Sequence, residues 1–394
     1  VPAPAIVLSD YGGIIQSDDV LRGRRAEQSR HTNSMERDMK QAPYIESRPI
    51  PNRYARGWHC LGLAQDFKDG KPHKLDIFGT KLVAFQGALD GQVHILDAYC
   101  PHMGADLSTG EVKGDAIQCP FHHWQWNGEG KCVEIPYCKR IPPKAKTQAW
   151  HTCEQNHLLF IYNDPEGNPP PPEVAIPRIE ACYTGEWTDW LTNRWIFNTN
   201  CRELVDNLAD EAHFGPVHGA PNEYFANLFE GHKASQITKG GSETLSEGRL
   251  ATYNTYFGPA YHITHMVAEQ GGQVIESILL NTHVPRDLNS FHQCFGVMVK
   301  KIPGMSAEQN NEIAQAYSKA VFDAFAQDQV IWDNKVRVDN PMLCENDGPI
   351  YQLRKWYSQF YMDAADVPKE FAEATLIETV RKCDPPASHH VFED

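Results

Sequence analysis

Cys100 and His102 are separated by one residue and Cys119 and His122 by two, all within CPHMGADLSTGEVKGDAIQCPFHHW, Cys100 to Trp124. Each pair offers one thiolate and one imidazole, a donor set suited to a metal. Zinc accepts two Cys and two His, but zinc fingers supply a Cys pair and then a His pair, whereas here the types alternate. Loops without a metal would leave two Cys–His pairs in one window as coincidence. The third occupant is a [2Fe–2S] cluster of mixed ligation, in which one iron takes two thiolates and the other two imidazoles. Cys100 and Cys119 can then face one iron, and His102 and His122 the other. Pro101 and Pro120 stiffen the loops, and Gly104 lets backbone approach the cluster. Neutral imidazoles in place of thiolates remove negative charge and raise the cluster's potential. His123, next to His122, reads as a bystander.

A second constellation lies in CRELVDNLADEAHFGPVHG, which holds Asp206, Asn207, Asp210, His213 and His218. Leu204, Val205 and Leu208 have helical spacing. On a continuous helix Asp210 and His213 share a face, but His213 and His218 are about 140° apart. Gly215-Pro216 is expected to end the helix after His213, so that the chain can turn His218 back. Two histidines and a remote carboxylate make a facial triad with positions open for O₂ on mononuclear Fe(II). Two histidines near a helix end are more often structural; the Cys/His motif roughly 90 residues upstream reverses those odds. Asp323, Asp328 and Asp333 are candidates for the carboxylate. Asp328 fits best because it precedes Val330-Ile331-Trp332, read as buried.

The elements that must position these groups are of two textures. Residues 1–50 are polar and punctuated and read as a surface-wrapping arm. Residues 51–165 are short apolar runs broken by turns, an all-β region that carries the first motif. KLVAFQGALDGQVHILDAYC predicts two strands joined by a tight turn at Asp90-Gly91, and NHLLFIYND a further strand. The prolines in DPEGNPPPPEVAIP predict an extended, semi-rigid linker without packed structure. Residues 166–394 read as α+β, with strands in VIESILLNTHVP and FHQCFGVMVKKIP. A long helix capped by Ser306 carries Ile313, Tyr317, Val321, Ala324 and Phe325 on one side.

With 394 residues the chain is long enough for two cores. A net charge of −15 argues against nucleic-acid binding, which needs a basic face. No run of apolar residues is long enough to span a membrane, and no signal peptide is legible. The first residue is Val, which suggests trimming. The 11 cysteines are odd in number and scattered, which suits a reduced cytoplasmic protein better than a disulfide framework.

CPHMGADL…CPFHHW resembles the Rieske motif of ring-hydroxylating and related oxygenases. A ferredoxin or respiratory subunit would need no second domain. With the Asp210/His213/His218 element and the distal Gln327-Asp328…Ile331-Trp332 element, the chain looks like the oxygenase component of a Rieske non-haem iron oxygenase. YFGPAYHITHM, FEGHKASQ, EWTDW and DNPMLCENDGPIYQLRKWYSQFY are similar to the 3-ketosteroid 9α-hydroxylase branch, a likeness running from about Arg53 to about Asp363. The resemblance implies an all-β Rieske domain followed by an α+β helix-grip catalytic domain with an antiparallel sheet. It implies His213, His218 and Asp328 as ligands of Fe(2+), with Asp210 bridging one of these histidines to a Rieske histidine of a neighbouring subunit in a homotrimer. Asn207 is expected to face the iron. The implied partners are a steroid, O₂ and a separate flavin/iron–sulfur reductase. Phe257, Tyr261, Met266 and Trp332 are expected to line the substrate pocket. There are departures: His123 and Gln125 stand where that branch suggests Asp and Arg, and Gly215-Pro216 where aromatic residues are commoner. An aromatic-ring dioxygenase or a sterol desaturase would carry the same two sites, and a plain electron carrier only the first.

Overall fold

The computed structural model describes residues 52–242, 246–270 and 273–386; the arm expected over residues 1–50 lies outside them. Eleven short strands come first: β1 (Gly57–Leu63), β2 (His73–Ile77), β3 (Thr80–Gln86), β4 (Val93–Asp97), β5 (Glu111–Lys113), β6 (Ala116–Gln118), β7 (Gln125–Asn127), β8 (Cys132–Glu134), β9 (Ala149–Trp150), β10 (Thr152–Gln155) and β11 (Leu158–Asn163). They form three antiparallel sheets, β1-β11-β10, β2-β3-β4-β9 and β5-β6-β7-β8. The β3–β4 hairpin forms, but Gln86 pairs with Val93, so residues 87–92 make a wider loop than a turn at Asp90-Gly91. Carboxylates hold it open: Asp115 accepts from the Leu89 and Asp90 N–H groups at 2.7 and 3.1 Å, and Asp90 from Gln92 N–H at 2.9 Å.

The chain then reaches one large antiparallel sheet of β12 (Leu191–Phe197), β13 (Asn222–Glu230), β14 (Lys233–Ser242), β15 (Ser246–Phe257), β16 (Tyr261–Gln270), β17 (Gln273–Asp287), β18 (Ser290–Val299) and β19 (Thr375–Arg381). The order is β12-β18-β17-β16-β15-β14-β13-β19. The connecting proline stretch is not free of packing. It makes a 3₁₀ turn at Pro172–Val174, and Ile176 inserts into the core beside Trp58 and Trp190.

Both faces of the large sheet are covered. On one, Tyr261, Ile263, Ile278 and Leu280 meet Trp58, Leu158 and Phe160 of the first domain. On the other, Met266, Leu279, Phe295 and Val297 meet Ala314, Tyr317, Val321 and Phe325 of the long helix Ala307–Trp332. Full burial of each large apolar side chain contributes about 1.5–3 kcal/mol, so this seam fixes the helix on the sheet. Ser306 starts the helix with a capping box, its Oγ accepting from Gln309 N–H while Gln309 Oε1 accepts from Ser306 N–H. The helix face matches the spacing for Tyr317, Val321 and Phe325, which are buried, with Ile313 and Ala324 half-buried. Val330 and Ile331 differ: both are exposed, and of that run only Trp332 enters the core. Helical rotation of about 100° per residue allows only part of three consecutive residues onto one face.

Candidate active site

The segment carrying the two histidines is a broken helix. Arg202–Val205 is α-helical and Asp206–Ala209 tightens to 3₁₀, ending at Asp210, whose backbone is extended at φ −84°, ψ 96°. Helix therefore stops four residues earlier than its expected end at His213. A buried ionic framework fixes the segment. Arg354 makes two bonds to Asp206, at 3.0 and 2.6 Å, and Glu203 is held by Lys335 at 2.8 Å and Arg337 at 2.9 Å. The Leu208 carbonyl accepts from Asn227 and Gln236 side chains, both at 2.8 Å, which ties the helix end to the sheet. Gly348, at φ +86°, closes over it so tightly that a Cβ would collide with the Ala209 carbonyl.

A second helix, Phe214–His218, begins where the first was expected to end. Gly215-Pro216 sits in its opening turn, where proline costs no hydrogen bond. Gly219, left-handed at φ 60°, terminates it, with its N–H donating to Gly215 O at 3.0 Å. One turn of helix between His213 and His218, rather than a bend at Gly-Pro, brings their rings to 5.2 Å.

His213, His218 and Asp328 each place a ligand atom within 4.8 Å of the others, and no other such His/Cys/Asp/Glu group occurs among the described residues. The outer ring nitrogens are tied down. His213 Nδ1–H donates to the Asp210 carbonyl at 2.7 Å, and His218 Nδ1–H to Gln327 Oε1 at 3.0 Å. A carbonyl only accepts, so both protons sit on Nδ1 and both Nε2 atoms face the triad, where a metal would take their lone pairs in place of the present contacts. His218 Nε2 is 3.4 Å from Asp328 Oδ2, and the Asn207 amide lies 3.1 Å from His213 Nε2. Burial lowers the basicity of His218, but the Asp328 bond and charge, with Gln327, outweigh it and leave its pKa above the ordinary histidine value. The site thus favours positive charge. Two neutral imidazoles and a carboxylate on one side, with open positions opposite, suit mononuclear Fe(II).

In the sequence Gln327 stands only as the residue before Asp328 in the distal element, with no role attached; in the structure its amide orients a ligand. Replacement by Leu is expected to weaken iron retention about 10–100-fold, the usual cost of losing such an orienting bond. Chelator competition followed by iron analysis checks this.

In the first domain Cys100 and Cys119 are buried as neighbours, with the His102 and His122 rings 4.6 Å apart. Burial, with Cys119 nearby, pushes the Cys100 thiol up to about 11 despite the His102 N–H; bound metal would have to displace that proton. No three of the four donors converge within 4.8 Å. A tetrahedral zinc would require them to, whereas a cluster with thiols on one iron and imidazoles on the other separates the pairs. His122 Nδ1 is buried without a hydrogen-bond partner among the described residues, as a nitrogen awaiting a cluster iron would be. Trp124 stacks on His102 at 4.4 Å and holds that ring.

Beside the triad is a cavity of about 170 Å³, lined by apolar residues such as Met266, Leu279, Phe295 and Phe325 and by Gln236, Asn254, Thr264 and His262. Of the four residues expected to line it, only Met266 does. Tyr261 points through the sheet to Phe160, Phe257 packs on the same core, and Trp332 lies behind Phe325, edge-on to Phe197. Successive strand residues face opposite sides, so His262, Thr264 and Met266 face the cavity and Tyr261 cannot.

Residues 57–148 match the Rieske [2Fe-2S] domain, and residues 161–361 the 3-ketosteroid 9α-hydroxylase C-terminal domain. A 3-ketosteroid-9-alpha-monooxygenase oxygenase component of Rhodococcus rhodochrous is 50% identical over 339 residues, 84% of this chain and 87% of the relative. The chain belongs to the 3-ketosteroid 9α-hydroxylase oxygenase family. A member from Mycobacterium tuberculosis is 45% identical over 347 residues, 86% of this chain and 90% of the relative. The fold also matches the crystal structure of dicamba monooxygenase, with a TM-score of 0.63 at 20% identity over 80% of this chain and 98% of that one. As a family member the chain is a Rieske non-haem iron monooxygenase, with a Rieske [2Fe–2S] domain and the iron triad His213, His218 and Asp328. No described helix is long and apolar enough to cross a membrane.

Proposed function

We propose that the chain hydroxylates a 3-ketosteroid at the 9α position, with O₂ as co-substrate and electrons from a separate flavin/iron–sulfur reductase. The observation that carries this is the meeting of His213, His218 and Asp328 at the wall of an apolar cavity; an electron carrier needs neither. In this reading residues 51–165 are the electron-transfer unit, with Cys100, His102, Cys119 and His122 as its ligands, and residues 166–394 the oxygenase unit.

When bound, the cluster supplies single electrons and the mononuclear iron activates O₂. The protein's part is positional. Asp210 and Gln327 fix both imidazoles edge-on, and Asn207 holds an amide against the His213 ligand edge. Met266, Leu279, Phe295 and Phe325 exclude water and offer a fused-ring hydrocarbon an apolar bed. Gln236, Asn254 and Thr264 form a polar row across β14, β15 and β16, with Asn254 donating to Gln236 Oε1 at 2.7 Å and accepting from the Thr264 hydroxyl. At about 170 Å³ the cavity is smaller than the roughly 300–1,000 Å³ of drug-sized sites, so its side chains must give way on binding.

The test is a single turnover of reduced protein, loaded with both metals, under ¹⁸O₂ with a panel of 3-ketosteroids and an aromatic control. One labelled oxygen in a steroid alcohol is expected. A labelled cis-diol of the aromatic, or a steroid alkene without label, would replace this reading with a dioxygenase or a desaturase.

A further inference from the structure

His262 is the group in the cavity wall whose chemistry is left over. It lies on β16, directly opposite Tyr256 on β15 and Asn281 on β17. Its ring is stacked on Tyr256, with centroids 4.4 Å apart and planes within 7°. Both ring nitrogens are buried, and neither has a hydrogen-bond partner among the described residues. The neighbouring polar residues differ: Gln236, Asn254 and Thr264 bond to one another and to backbone. A buried polar atom without a partner is uncommon and calls for water, an ion or a ligand to complete it. Burial pushes the imidazole down to about 3, so it is neutral in the folded protein. It then carries one N–H donor and one acceptor nitrogen, a pair that suits a neutral oxygen and not an anion.

Position narrows the partner. Gln236, which reaches the Leu208 carbonyl next to Asn207, marks the iron-side end of the polar row. His262 lies two residues along β16 from Thr264, and so two strands across and two residues along from Gln236. At roughly 4.8 Å per strand and 3.4 Å per residue, that is about 12 Å from Gln236. The separation suits recognition of a substituent on a rigid ring system rather than chemistry at the reacting carbon.

We propose that His262 is a specificity-determining residue that donates its ring N–H to a ketone oxygen on the substrate, away from the carbon being hydroxylated. This rests on the steroid reading above and adds to it a named donor for one of the oxygens. The donor stays neutral, and Tyr256 behind it keeps the ring in plane. A site that hydrogen-bonds a substrate oxygen discriminates against the analogue lacking it, because the buried group is then left unpaired.

The experiment uses protein loaded with both iron centres and two ligands, a 3-keto-4-ene steroid with a C17 ketone and its counterpart lacking one ketone, the position being varied between C3 and C17. Wild type, His262→Met and His262→Gln are compared by equilibrium binding and by the carbonyl stretch of the bound, ¹³C-labelled ketone. For the ketone that His262 contacts, His262→Met is expected to raise Kd about tenfold and return the stretch toward its value in apolar solvent. His262→Gln, which keeps an N–H donor, is expected to recover part of both, and the analogue lacking that ketone should bind wild type and His262→Met within about twofold. Equal losses for every ligand, with no change in the stretch, would make His262 a structural histidine completed by water and overturn the proposal. Wild-type protein that binds none of these steroids would overturn the steroid reading, and this inference with it.

Discussion

Asp328→Ala is expected to lose the mononuclear iron and keep the cluster, so that iron to acid-labile sulfide falls from about 3:2 to about 1:1. Asp328 is buried, with its carboxylate 3.4 Å from His218 Nε2, and supplies the only negative charge in the triad. Without it a divalent ion would meet two neutral imidazoles in a partly desolvated site, and binding would lose its principal electrostatic term. A metal supplies several kcal/mol of transition-state stabilisation, and each 1.36 kcal/mol is tenfold in rate, so turnover should drop by about a thousandfold or more. The visible spectrum of the cluster, which lies in the other domain, should not change. Asp323→Ala and Asp333→Ala are the controls. Asp323 is 65% exposed and paired with Lys319 at 2.5 Å, and Asp333 is exposed beyond the helix end; an exposed pair of this kind contributes about 0–1 kcal/mol. Iron loss in either control, with Asp328→Ala intact, would move the third ligand elsewhere.

How much of this could be read from sequence depended on how local each feature is. The Cys100/His102 and Cys119/His122 pairs fall within one short window, and their alternation already distinguished a mixed cluster from zinc. The histidines of the second site were equally visible, yet the backbone between them was misread. Gly215-Pro216 looks like a stop, and only the extended backbone at Asp210 and the left-handed Gly219 show that it opens a helix. The sequence favours Asp328 among three aspartates in and just after the long helix on a partly mistaken ground, since Val330 and Ile331 are exposed. What distinguishes it is a long-range contact with a histidine more than 100 residues away, which spacing cannot express. The pocket was hardest. Tyr261, His262, Ile263 and Thr264 alternate between apolar and polar, but His265 and Met266 reverse the pattern, because the first domain covers one face of β16 and the long helix the other. On a strand buried on both faces, parity does not say which face carries the pocket, so nothing in the sequence separates His262 from Tyr261 as a lining residue.

Asp210→Asn is expected to keep both metals and still lose turnover by about a hundredfold or more. The side chain is poorly placed to serve its own subunit alone. The short bond to His213 Nδ1, 2.7 Å, is made by the Asp210 main-chain carbonyl, whereas the carboxylate stands 3.6 Å away and is 43% exposed. Orientation of His213 therefore survives the substitution, and so should the iron. A carboxylate beside a ligand histidine, turned half into solvent, is free to accept an N–H from an imidazole outside its own chain. If that imidazole is His102 or His122 of a neighbouring subunit, Asp210 joins the electron donor to the acceptor, and its negative charge favours the positively polarised N–H on both sides. Asparagine keeps the shape but replaces one acceptor with a donor, which would oppose an N–H from that side. Rapid mixing of reduced protein with O₂ and substrate separates the steps: cluster oxidation should slow as much as product formation, at unchanged iron content. Slow product formation with normal cluster oxidation would place Asp210 after electron transfer. Sedimentation checks the geometry on which the bridge depends, since only an assembly of subunits, three in the expected arrangement, can bring a second chain's histidine to this carboxylate. A fully active monomer would remove the bridge and leave Asp210 as the residue whose carbonyl holds His213.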